Sequence, residues 1–179
     1  MNRYLVGAVS AASLLVAGCG TGTTDTPAPA ATTTAAPEPF NVCRDLPDAA
    51  LQAAGLDPST ELVITDPPSG PSSWRVCGWD PIEPPVNHIV ELYSTSHTVE
   101  ETRQNENLTD FAEVDIAGHS GITFREKNTA DTRCRAAYGA EQGSFIVSAA
   151  WLETGGEKPA DLCGLAVQYL TALEPALPK

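Results

Sequence analysis

Five cysteines dominate the reactive chemistry of this chain of 179 residues. Cys19 ends the run Val16-Ala17-Gly18-Cys19, behind a basic start at Arg3 and an apolar stretch from Leu5 to Ala17. Small residues followed by Cys at the close of a secretory segment form the recognition box of a bacterial lipoprotein signal. The expectation is that residues 1–18 are removed and that Cys19 becomes the acylated first residue. A plain signal-peptidase site is the competing reading, since Ala17 and Gly18 are also small. The apolar stretch is too short for a membrane span, which needs roughly 20 residues. Two or three acyl chains give stable anchoring where one does not. The other four cysteines, Cys43, Cys77, Cys134 and Cys163, are an even set in an exported domain, which argues for two disulfides. Their separations of 34, 57 and 29 residues contain no C-x-x-C, so no zinc or other metal site is expected. Of the three pairings, Cys43–Cys77 with Cys134–Cys163 closes the shorter loops and is the expected one.

Acid–base and nucleophilic chemistry is less well supplied. The three histidines, His88, His97 and His119, are not at ligand spacing. Gly118-His119-Ser120-Gly121 superficially matches a nucleophile elbow. Ile122 stands where the last glycine is needed, however, and the segment reads as a tight turn between strands. No catalytic residue and no cofactor are therefore expected. Arg125, Lys127, Arg133 and Arg135 flank one turn and form a candidate anion or partner patch, against the plainer reading of cross-strand pairing with Glu126, Asp131, Glu113 or Asp115. Trp74, Trp79 and Trp151 fall on expected strands. They read as core, with Trp79 beside the Cys77 disulfide, and otherwise as the lining of a lipid or sugar pocket.

The formal charge is −13 and becomes −14 once Arg3 leaves with the signal. So acidic a chain lacks the footprint for nucleic acid and is repelled by anionic headgroups, so its membrane tether must be covalent. Residues 19–39 hold seven Thr, four Pro and five Ala from Thr21 to Pro39 and read as a disordered linker. It spans on the order of 50–60 Å if extended. Residues 40–179 are expected to form one disulfide-bonded globular domain.

Within that domain a short helix is expected around Leu46–Ala54, capped by Asp45 and stopped by Gly55, with Leu56 set to touch Leu51. Strands follow at 61–65, 74–79 and 86–93. Thr98 and Glu101 form a capping box for a helix to about Asn105. Strands at 111–116, 122–125, 133–138 and 144–152 come next, with 117–121 as a turn. A helix from Pro159 to Leu173 closes the chain, its apolar stripe stopped by Pro175. Short glycine turns between strands imply antiparallel pairing. The fold class is α+β: a twisted antiparallel sheet of six or seven strands backed by three helices.

In combination, these features resemble a known family. The lipobox, the Thr/Pro linker, Cys43, Ala54-Gly55-Leu56-Asp57-Pro58, Cys77-Gly78-Trp79, Gly118-His119-Ser120-Gly121-Ile122 and Asp161-Leu162-Cys163 are together similar to actinobacterial, mycobacterial-type lipoproteins carrying domain of unknown function 3558. The resemblance covers residues 40–179 and implies a mycobacterial-type envelope, without an activity. The element order is also similar to the Mog1/PsbP-like fold, by analogy alone. The expected function is a non-catalytic ligand-binding or accessory lipoprotein on the outer face of the plasma membrane. It would hold a small apolar ligand or meet an envelope protein. An envelope enzyme acting on wall or lipid, or a structural wall lipoprotein, are the alternatives.

Overall fold

A computed structural model of the chain describes residues 38–68 and 72–179. The expected signal, Cys19 and the linker up to residue 37 lie outside the described residues. The described residues form seven strands: β1 (Leu62–Thr65), β2 (Trp74–Trp79), β3 (His88–Thr95), β4 (Leu108–Ile116), β5 (His119–Glu126), β6 (Arg133–Ala140) and β7 (Gly143–Trp151). The α-helices are α1 (Asp48–Ala53), α2 (Val99–Arg103) and α3 (Leu162–Leu173). All seven strands join one antiparallel sheet in the order β1-β2-β3-β7-β6-β5-β4. After β3 the chain crosses through α2 to the far edge, then returns by three successive antiparallel pairings until β7 lies beside β3. The fold is the α+β sheet with three helices that the patterning implies.

The face toward α3 is a filled core. Cys77, Trp79, Val90, Leu92, Ala136, Phe145 and Val147 point to it from the strands, and Leu162, Ala166, Tyr169, Leu170 and Leu173 meet them from α3. Alternation along each strand makes this possible, because every second side chain reaches the same face. A smaller cluster of Ile122, Phe124, Ala137 and Ile146 lies on the opposite face, with Tyr93, Val99 and Leu108 packed against it. Cys43 is bonded to Cys77 with a Cα separation of 5.4 Å, and Cys134 to Cys163 with 5.0 Å. The first ties the N-terminal segment to β2, and the second ties the start of α3 to β6.

Local chemistry explains the element ends. Gly55 sits at φ 81°, Gly55 N donates to Gln52 O and Leu56 N donates to Leu51 O, which is the Schellman ending. Thr98 Oγ1 accepts from Glu101 N at 3.1 Å and Glu101 Oε2 accepts from Thr98 N at 2.8 Å, completing the capping box of α2. Three expectations are corrected. Asp45 does not cap α1: Pro47 is the N-cap, because the residue before a proline is kept out of helical geometry. The turn is confined to Ala117 and Gly118, at φ 53° and 86°, so His119, Ser120 and Gly121 belong to β5. Helix α3 starts at Leu162 rather than Pro159, where Asp161 Oδ1 accepts from Gly164 N at 2.8 Å.

Gly121 is required by close approach. A Cβ there would meet Ala137 O and Ile116 Cδ1, each at 2.6 Å, whereas one at Gly139 would find its nearest neighbour at 4.0 Å. Gly121→Ala is expected to destabilise the domain by about 1–3 kcal/mol in urea unfolding. Gly139→Ala leaves the midpoint nearly unchanged. Equal effects of the two substitutions would contradict this packing.

Candidate functional site

Cross-strand register sorts the second face of the sheet into rows. Val76 pairs with Tyr93, Tyr93 with Ile146, Ile146 with Ala137 and Ala137 with Ile122, giving an apolar row. The next row runs Gly78, Glu91, Ser148, Arg135 and Phe124, and is polar in its middle. Helix α2 has only five residues and cannot cover both rows. Between it and the sheet lies an open cavity of about 530 Å³, floored by Val76, Tyr93, Phe124 and Ile146 and rimmed by Ile64 and Trp74. Arg135, Glu126, Glu101 and Asn105 supply its polar wall. That volume falls within the roughly 300–1,000 Å³ of small-molecule sites.

Its charges are tied to one another. Arg135 pairs with Glu126, and its guanidinium lies 5.4 Å from the centre of the Tyr93 ring. The Tyr93 hydroxyl donates to Glu91 Oε2 at 2.6 Å. Glu91 in turn pairs with Arg133, whose Nη1 donates to Ser148 Oγ at 3.2 Å. Burial, reinforced by the Glu91 carboxylate, pushes the Tyr93 hydroxyl up to about 12. Burial works against ionisation of Glu126, but the hydrogen bond and charge of Arg135 outweigh it and hold the carboxyl below its ordinary value. At the rim, His97 Nδ1 is 3.4 Å from Glu101 Oε2, and its ring lies 5.3 Å from that of Trp74.

The four basic residues singled out in the sequence are dispersed by this geometry. Arg133 and Arg135 share the α2 face, and each is engaged with a carboxylate. Arg125 follows Phe124 and so points to the other face, where it donates to Ala130 O and Arg133 O. Lys127 donates to Glu106 O at 2.6 Å. Among the tryptophans, Trp79 is core, as expected, whereas Trp74, also expected in the core, is 36% exposed at the cavity rim. Sequence reasoning missed Tyr93, Glu91 and Glu126 as parts of one network. The alternation of β3 carried the signal, since Glu91 and Tyr93 had to share the face not taken by Val90 and Leu92.

His88 and His119, unlike His97, are not among the residues lining the cavity. His119 Nε2 is 3.0 Å from Glu174 Oε1, and its ring stacks on Tyr138 at 4.6 Å. Ser120, its neighbour on β5, points to the opposite face. Cys43, Glu61 and Cys77 are close enough to suggest metal ligands, but both sulfurs are spent on a disulfide. No helix among the described residues is long and apolar enough to cross a membrane.

His88 is buried, with Nδ1 2.9 Å from Asn87 Oδ1 and Nε2 3.1 Å from the Tyr169 hydroxyl. Burial pushes its pKa below the ordinary value of 6.5, against a small opposing pull from Asp80. The unfolded chain therefore takes up the proton first. The stability contributed by neutral His88 is intact above about pH 6.5 and is lost as pH falls below it. Thermal melts are expected to show a smaller drop between neutral pH and pH 5 for His88→Gln than for the unaltered protein. An identical drop in both would remove His88 as a source of the acid sensitivity.

No curated protein and no solved structure matches the chain significantly. One family model does match, over residues 14–176, which is nearly the whole length. By that match the chain belongs to the family described as protein of unknown function, DUF3558.

Proposed function

We propose that this protein is a non-catalytic binding lipoprotein of an actinobacterial envelope, anchored through acylated Cys19 to the outer face of the plasma membrane. Its domain holds a small apolar molecule in the cavity between the sheet and α2. The observation that carries this reading is the cavity itself. It is floored by side chains from four different strands and backed by a polar network that fixes one wall. The lipobox supports the anchor, and two cystines fit an oxidising compartment outside the cytoplasm.

A second reading, an accessory role toward another envelope protein, is favoured by the outer strand β1, which has no second strand partner among the described residues. Leu62, Val63 and Ile64 of β1 are 51%, 55% and 44% exposed. An apolar edge strand of this kind can accept a strand from a partner.

Native mass spectrometry of protein extracted from its own membrane tests the first reading. A retained small apolar molecule supports it, a co-purifying protein supports the second, and an empty domain argues against both. Anchoring has its own test. Globomycin, which blocks lipoprotein signal cleavage, should make the full-length precursor accumulate in membranes. Release of the same soluble product with and without the drug would exclude lipidation at Cys19.

A further inference from the structure

We infer that the cavity selects an uncharged amphiphile, one with a single aliphatic chain and a hydroxyl or ester end, over ionic lipids of the same chain length. This rests on the reading of the cavity as a small-molecule site and specifies its ligand.

The floor of Val76, Tyr93, Phe124 and Ile146 suits an aliphatic chain, which leaves toward Ile64 and Trp74 at the rim. The polar end faces Arg135 and Glu126. The Arg135 side chain is only 13% exposed, and its charge is already matched by Glu126. A headgroup carboxylate or phosphate would either displace Glu126 from Arg135, leaving a part-buried carboxylate without that partner, or share the guanidinium with Glu126 against like-charge repulsion. Glu101 at the rim adds a further obstacle to an anion. A cationic headgroup is attracted by Glu101 at the rim, but at the polar end it faces Arg135 itself, so neither charge sign is matched there.

A neutral oxygen meets no such conflict. Arg135 Nε has no acceptor among the described residues. A hydroxyl or ester oxygen can approach the guanidinium after a small side-chain adjustment, without the Glu126 pair being broken. Asn105 brings an amide, and Glu126 a carboxylate acceptor, toward the same end. A hydroxyl that both donates and accepts suits a wall holding both kinds of group.

The test uses the whole exported protein, purified and stripped of bound lipid, titrated at neutral pH while tryptophan emission is followed, since Trp74 lines the cavity. The probes are myristyl alcohol, monomyristoylglycerol, sodium myristate, myristylamine and dimyristoylphosphatidylglycerol. The alcohol and the monoacylglycerol are expected to bind about tenfold or more tightly than the ionic probes, with affinity unchanged by added salt. Glu126→Gln frees the charge of Arg135 and is expected to narrow or reverse the gap between alcohol and myristate. If that variant does not fold, the unaltered protein's ranking of the probes still decides. Tighter binding of myristate, the amine or the phospholipid, weakening as salt rises, overturns the uncharged ligand and leaves the cavity reading standing. Binding of none of the probes, with an empty protein recovered from the membrane, overturns both.

Discussion

A single long helix cannot cover both faces of a seven-stranded sheet, and the molecule is shaped by how it divides its cover. Helix α3 lies on β6 and β7, where Leu162, Leu170 and Leu173 are fully or almost fully buried. Each contributes about 1.5–3 kcal/mol relative to exposure. The segment around Val42, Leu46, Leu51 and Leu56 completes that side. Among the described residues the opposite face receives only α2, and its five residues cannot shield the five adjacent strands from β2 to β5. A groove is the geometric consequence, and its floor is apolar because the strands that build it still alternate.

The polar network on that open face follows from the same division. On the α3 side the charged strand residues stand outside the apolar cluster, Arg75 against Asp66 and Glu38 and Arg125 on the carbonyls of Ala130 and Arg133. On the α2 side Arg133 is paired with Glu91 and Arg135 with Glu126, each pair sufficiently buried for its members to require one another. The acidity of the chain as a whole conceals this. A net charge of −13 describes a repelling surface, while on this face each of the two arginines is matched by a carboxylate.

Much of the architecture was legible because it depends on short-range rules. Gly55 after the Leu51 turn, Thr98 three residues before Glu101, and the run Trp74 to Trp79 each fix an element from within a few residues. Positions that hinge on neighbours distant in sequence were less legible. Gly118-His119-Ser120-Gly121 reads as a turn rich in glycine, but only Gly118 serves the turn. Gly121 is a strand residue kept small by Ala137 and Ile116. Arg125, Lys127, Arg133 and Arg135 look like one patch along the chain, yet strand alternation sends Arg125 to the other face and a loop carbonyl engages Lys127. The cavity was the least legible feature, because its floor draws on β2, β3, β5 and β7, whose adjacency is a property of sheet order.

That order has a consequence for how the chain oxidises and folds. The sheet is two meanders sewn along one seam, β3 against β7, and each meander contains one cystine: residues 43 and 77 before the crossing, 134 and 163 after it. Neither covalent closure spans the seam. An oxidant that meets the emerging polypeptide can therefore complete each half from its own thiols. The costly long-range step, docking one half on the other, is left to non-covalent pairing between pieces that are already locked.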